Sequence, residues 1–250
     1  MVGEPAAADA VARAKRLPTL AVGLHVVVVD GIPVLPAEEV PALVNARGAF
    51  APGMAGAALR FALSPAARRQ LAAEIRAQFE AFRKTGLALD HVNGHKNIHL
   101  HPAVGRLIVE IGRDYGMRAV RLPAEPVGPL RRAFPGELRL PPAWSPAVAA
   151  LRQRLRRAGL AATGNVFGTA WTGRMVEARV MALLPHLPAG FSEIYCHPGT
   201  AARVPGYRRQ DELAALVSPR VRERIAELGI RLVSYADLAD AAAARAAPAR

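Results

Sequence analysis

Apolar and polar positions follow two different periods along the chain. The run LAVGLHVVV, residues 20–28, is apolar and β-branched almost without a break, the pattern of a buried strand. Residues 64–86 follow the helical period instead. Leu71, Ile75, Phe79 and Phe82 make one stripe, Ser64 and Pro65 stand at its start, and Gly86 ends it. LALDHV, 87–92, predicts a strand, and Pro102 opens a helix with Val104, Leu107, Ile108 and Ile111 inward and Gly116 as its stop. AVRLP at 119–123 and FSEIYC at 191–196 predict strands, as does IRLVSYADL, which runs into a last helix. Further helices are predicted at 5–16, 146–158, 174–187 and 210–229, the last broken near Pro219. The Pro/Gly-rich stretches 30–53 and 124–144 and the Gly/Thr-rich stretch 163–173 predict loops.

Strands that alternate with helices in this way specify a parallel sheet with crossover helices, either a barrel or a doubly wound sheet. No internal repeat and no boundary interrupts the pattern. One domain is therefore expected over residues 1–240, followed by a frayed tail, 241–250. Chemistry in such folds collects where strands end.

Composition narrows the partners. The chain carries 33 Lys and Arg against 20 Asp and Glu, a net charge of +13. Aromatic residues are only 5%, and no basic run is interleaved with them, so nucleic acid is not expected. Two readings of the charge stay open: arginines spread over solvated helix faces, and attraction to an anionic membrane surface. No apolar run is long enough to cross a bilayer, and the opening residues lack the signal-peptide pattern. The single Cys196 excludes an internal disulfide framework and fits a reducing compartment. A cytoplasmic location is the expectation, including the inner face of the membrane.

The histidines carry the candidate chemistry. HVNGHKNIHLHP, 91–102, places four of the seven in twelve residues. His91, His95 and His99 recur at a spacing of four, which shares a face on a helix and on a strand alike. Asn93-Gly94 predicts a turn there, at the C-terminal mouth of a strand. A metal needs about three ligands, usually drawn from several strands. His25, between Leu24 and Val26, needs a polar partner if buried. His197 precedes Pro198-Gly199 at another predicted strand end, whereas His186 ends a helix and is expected at the surface. Cys196 is adjacent to His197, but strand neighbours face opposite ways, which disfavours a Cys/His pair. Neither a G-x-S-x-G elbow nor a phosphate-binding glycine loop occurs.

The segments VGLHVVVVDGIPVLP, LDHVNGHKNIHLHP, YGMRAVRLPAEP, FGTAWTG and EIYCHPG resemble, in order and over nearly the whole chain, the YdjC-like carbohydrate deacetylases. They are most similar to the branch associated with hopanoid biosynthesis. The resemblance implies a deformed (β/α) barrel of mostly parallel strands and one divalent metal ion, Mg or Zn. It implies hydrolysis of an N-acetyl group from an amino sugar, in this branch an N-acetylglucosaminyl hopanoid lipid. By the same resemblance His25 and His95 are the metal ligands, His99 matches a further family histidine and is expected to bind substrate, and His197 matches the histidine that protonates the leaving amine. Arg121 is a candidate for holding a substrate oxygen, with a surface ion pair as the alternative.

The family pattern also includes an Asp-Asp-Phe-Gly motif that supplies a metal ligand and a base. That motif occurs nowhere in this sequence, and Asn97 stands where the branch usually has histidine. Met1-Val2-Gly3 resembles the family's second strand, so a first strand and helix are expected to be missing. Asp30 and Asp90 lie at odd spacing from the histidines and are not expected to replace the motif. A non-catalytic homologue that binds sugar or lipid is the alternative function.

Overall fold

A computed structural model of the chain describes residues 1–137, 145–200 and 205–246. In chain order the described helices are α1 Ala7–Lys15, α2 Met54–Leu63, α3 Pro65–Lys84, α4 Pro102–Gly112, α5 Val127–Ala133, α6 Ser145–Arg157, α7 Glu177–Leu183, α8 Arg209–Val217, α9 Pro219–Glu227 and α10 Tyr235–Ala246. The described strands are β1 Val22–Val26, β2 Leu89–Gly94, β3 Asn165–Phe167 and β4 Ser192–Ile194. The chain divides into two compact units. One comprises Met1–Arg121, Pro146–Ala162 and Ser234–Arg250, and the other Leu122–Ser145 and Thr163–Val233.

In the first unit β1 and β2 pair in parallel, with Leu24 opposite Val92, His25 opposite Asn93 and Val26 opposite Gly94. Parallel bridges extend the row from Val92 to Val120 and from Ala119 to Ala161. Continuous apolar runs are what a parallel sheet covered on both faces requires, and Leu24, Val26, Val92 and Val120 are all buried. The predicted stripe of α3 is buried, and Ser64 Oγ accepts from Ala67 N at 3.1 Å as its cap.

Two predicted strands of this unit are shorter than expected. β1 ends at Val26 because Gln78 of α3 takes both backbone groups of Val27, accepting from its N–H at 2.9 Å and donating to its carbonyl at 2.6 Å. The segment 119–123 keeps only the bridges at Ala119 and Val120. The turn expected at Asn93-Gly94 is instead the end of β2. The loop 30–53 is anchored by Glu74, whose carboxylate accepts from Val34 N at 2.9 Å and Leu35 N at 3.0 Å.

In the second unit β3 and β4 pair in parallel over three residues each. Its core gathers Leu130, Phe134, Phe167, Trp171, Met175 and Leu183. Two expected loops contain structure: β3 lies in 163–173, and α5 in 124–144, of which 138–144 fall outside the described residues. Pro129 is compatible with α5 because it stands in the first turn, where its missing N–H has no intrahelical partner to lose. The break at Pro219 is present, with Ser218 Oγ accepting from Val221 N at 3.4 Å. The last expected strand is absent. The segment 230–233 lacks a paired chain among the described residues, and Leu232 is 78% exposed. The adjoining Ser234 instead caps α10 reciprocally with Asp237, and α10 runs through residues 241–246 of the expected tail. None of the described helices is long and apolar enough to cross a membrane.

Candidate active site

Register places the first group of residues. His25 of β1 lies opposite Asn93 of β2, and Arg121 follows Val120, the bridge partner of Val92. Arg121 N donates to Val92 O at 2.9 Å. Neighbours across a parallel ladder share a face, so His25, Asn93 and Arg121 stand in a row. His91, two residues before Asn93, shares that face of β2, and His95 is the first residue beyond the strand. The strand ends there because Lys96 and Asn97 adopt left-handed backbone, with φ of 51° and 55°. Asparagine tolerates that region, but lysine does not favour it. Lys96 Nζ is held to Asp30 Oδ2 at 2.6 Å, and Asp30 is itself left-handed at φ 49°.

The two histidines expected to share a metal come together. His25 Nε2 lies 3.4 Å from His95 Nδ1, with the rings edge-on. Burial pushes the His25 imidazole down to about 3, so it is neutral at physiological pH. Two nitrogens each bound about 2.05 Å from one tetrahedral ion would stand about 3.3 Å apart, so the observed spacing fits two corners of such a site. No group of three His, Cys, Asp or Glu side chains converges among the described residues. The pair thus matches two corners of a metal site in spacing, and the described residues bring no third ionisable ligand to it.

The Asn93 amide has two competing orientations. With Oδ1 toward the guanidinium, it accepts from Arg121 Nη1 at 3.0 Å and Nη2 at 3.3 Å, and Nδ2 donates to His25 Nδ1 at 2.5 Å. Turned over, Nδ2 lies 3.4 Å from His91 Nε2, and Oδ1 faces His25 Nδ1. The guanidinium has only donors, so the first orientation is the satisfied one.

The other histidines of the cluster have structural surroundings. His99 is 1% exposed, and its Nε2 lies 3.0 Å from Arg121 O. That setting favours support of the Arg121 backbone over direct contact with a substrate. His101 packs edge-on against Phe61. His91 stacks on Tyr235 and reaches Asp90 Oδ2 at 2.8 Å. Asp90 also accepts from Ala236 N at 2.9 Å and Tyr235 N at 3.3 Å, which caps α10. Burial opposes its charge, but these hydrogen bonds outweigh burial and hold its pKa below the usual carboxylate range. Asp90 is thus engaged away from the histidine pair, as its odd spacing from His95 leads one to expect.

His197 belongs to the second unit, just beyond β4. Its N–H donates to Glu212 Oε2 at 2.8 Å, and Met175 N donates to Glu212 Oε1 at 2.9 Å. Its ring meets Tyr195 and Tyr207 edge-on, with centroids 5.6 and 5.2 Å away. Tyr195 Oη is 3.0 Å from Thr172 Oγ1. The loop after β3 is gathered by Glu125, which accepts from Gly168 N at 2.8 Å, Thr169 N at 3.1 Å and Ala170 N at 2.8 Å. Cys196 packs against the core of this unit, and burial raises its thiol to about 11, which suits an inert thiol rather than a nucleophile. His186 is half-buried in the turn after α7.

Asn93, Glu125 and Glu212 do not stand out as site residues in the sequence. Asn93 carries one local signal, its spacing of two from both His91 and His95. The two glutamates carry none, because their partners lie 15 to 45 residues away.

A parallel α/β frame with two histidines brought together at the end of a parallel strand pair defines the class of strand-end sites. The chain belongs to the YdjC-like protein family, whose profile matches residues 1–227. A carbohydrate deacetylase of Geobacillus stearothermophilus is 30% identical, with 94% of this chain and 83% of the relative covered. A carbohydrate deacetylase of Homo sapiens is 29% identical over 93% of this chain and 79% of the relative. The crystal structure of an Enterococcus faecalis protein, put forward as a cellobiose-phosphate cleavage protein, superposes with a TM-score of 0.72. That match covers 95% of this chain and 85% of the other at 22% identity, and it shows the shared fold.

Proposed function

We propose that the chain is a metal-dependent carbohydrate deacetylase that hydrolyses the N-acetyl group of an amino sugar, on the deformed barrel frame that the family resemblance implies. The observation that carries this reading is the 3.4 Å approach of His25 and His95, 70 residues apart, at the end of a parallel strand pair. Curated relatives named carbohydrate deacetylases, similar over most of their length, support the reaction class. His25 and His95 are the residues that would hold a divalent ion, Mg or Zn. Such an ion supplies a Lewis acid for the acetyl carbonyl.

Three of the chain's own residues have further roles in this reading, and the base for the attacking water, which the family's Asp-Asp-Phe-Gly motif supplies, is not among them. The His25 imidazole is uncharged at neutral pH because it is buried, and the neutral form is the one in which a histidine can bind a metal. Arg121, a cation on this face, is assigned a substrate oxygen, with His99 supporting it through its carbonyl. His197 is assigned the proton that the leaving amine takes up, its backbone fixed by Glu212 and its ring flanked by two tyrosines.

The substrate we assign is an N-acetylglucosaminyl hopanoid lipid, reached from the inner face of a membrane. The net charge of +13 supports peripheral attraction to anionic lipid. A second reading, a homologue that binds sugar or lipid without hydrolysing it, is favoured by one observation: no third ionisable ligand converges on the histidine pair among the described residues. Acetate release distinguishes the two. With N-acetylglucosaminyl lipid in anionic vesicles and added divalent metal, the deacetylase reading expects steady turnover, and faster turnover than on a water-soluble N-acetylglucosamine oligomer. Binding without acetate release from either substrate would establish the second reading.

A further inference from the structure

We propose that Arg121 and Asn93 together hold His25 in the tautomer that carries its hydrogen on Nε2, so that Asn93 sets how readily the histidine pair accepts a metal. The proposal rests on the reading of His25 and His95 as the metal pair, and it concerns what tunes that pair. Three neighbours compete for one buried amide. Arg121 offers two N–H groups at 3.0 and 3.3 Å and can only donate, so it requires the amide oxygen. His91 Nδ1 is taken by Asp90, which leaves Nε2 as an acceptor for the amide nitrogen, but at the longer distance of 3.4 Å. A charged donor at hydrogen-bond distance outweighs a neutral partner near the limit of reach. The oxygen therefore faces Arg121, and the amide nitrogen donates to His25 Nδ1.

A neutral imidazole whose Nδ1 accepts carries its hydrogen on Nε2. In His25 that is the nitrogen directed at His95 Nδ1, 3.4 Å away. A metal at this position needs the reverse: a lone pair on Nε2, a hydrogen on Nδ1, and an acceptor facing Nδ1. Metal-bound histidines commonly present that second nitrogen to a carboxylate or carbonyl oxygen. Here the side-chain oxygen of Asn93 is held by the guanidinium, so loading the pair requires the amide to turn over against Arg121. Asn93 and Arg121 are positioning residues in this scheme. Asp at position 93 would end the conflict, since one carboxylate oxygen accepts from Arg121 and the other from His25 Nδ1–H.

The test begins with chelator-treated, uniformly 15N-labelled protein and long-range 15N–1H correlation of the imidazoles, with His25→Ala as the assignment control. The proposal expects a bare Nδ1 and a protonated Nε2 for His25 in the unsubstituted chain, and the opposite tautomer in Asn93→Asp. Titration with Zn2+ should then show binding tighter by roughly 10-fold or more in Asn93→Asp. Arg121→Gln, which frees the amide, should shift tautomer and affinity in the same direction by less. A protonated Nδ1 in the unsubstituted metal-free chain overturns the proposal without reference to any variant. Unchanged Zn2+ affinity in a folded Asn93→Asp protein overturns its second half. Tautomers as expected with no Zn2+ uptake by any form would uphold the positioning role and remove the metal reading instead.

Discussion

The two parallel strand pairs position their histidines by different means. At the end of β1 and β2, five and six residues long, register does the work: His25, Asn93 and Arg121 stand in a row because their chains pair in parallel. At the end of β3 and β4, three residues each, the ladder is too short to fix the segments beyond it. Two carboxylates replace it, Glu125 collecting three backbone N–H groups and Glu212 two, one of them His197's own. A long ladder orients side chains through backbone geometry that any sequence shares. A short one needs specific buried acceptors, so its function-bearing residues depend more on single side chains.

Glycine at each pair gives the sharpest way to break that comparison. Gly168, after β3, has φ of 117°, and a Cβ there would collide with the Tyr195 carbonyl. Gly23, in β1 where the register shifts, would place its Cβ 2.6 Å from His91 Cε1 and 2.7 Å from His91 O. Gly168→Ala meets both a conformation that L-residues avoid and a backbone clash, at a cost of about 2–6 kcal/mol. Gly23→Ala meets the clash with ordinary φ, at about 1–3 kcal/mol. Urea denaturation of both variants measures the difference. Equal losses would mean the short pair is no less tolerant than the long one.

A smaller effect sharpens the role of the buried acceptors. Burial raises the Glu125 pKa above its ordinary 4.5, against the pull of its three N–H donors. The folded state thus holds this proton more tightly than the unfolded chain. The stability linked to the group is fully present below 4.5 and is lost as pH rises through the raised folded value. Unfolding midpoints of the unsubstituted chain and Glu125→Gln, compared across that window, should show the unsubstituted chain losing ground as pH rises. Burial raises Glu74 in the first unit in the same direction, so Glu74→Gln should give a difference of the same sign. A difference that grew in favour of the unsubstituted chain with rising pH would reverse the assignment.

The same contrast explains how much was legible in the sequence. His25 within an apolar run and His95 beyond a strand could be read locally, because strand and helix periods are local signals. Asn93 read as a turn signal, since its register with β1 and Arg121 is a long-range property. Glu212 looked like an ordinary acidic residue in the first turn of a helix, where solvated carboxylates are common, yet it is fully buried. Proline-rich composition hid α5, because the prolines flank it or occupy its first turn. The alternation in IRLVSY imitated a strand, but alternation produces a strand only where another chain offers hydrogen bonds, and none of the described ones pairs with it.

His25 and His95 are the proposed reaction centre, and acetate release tests that assignment most directly. The comparison runs an N-acetylglucosaminyl substrate with the unsubstituted chain, His25→Ala and His95→Ala, at equal divalent metal and with folding verified by circular dichroism. Either substitution is expected to lower turnover by about 10²-fold or more, since each removes half of the histidine pair that would hold the metal. Turnover retained within a few-fold in both variants would contradict the assignment and move the chemistry elsewhere in the molecule.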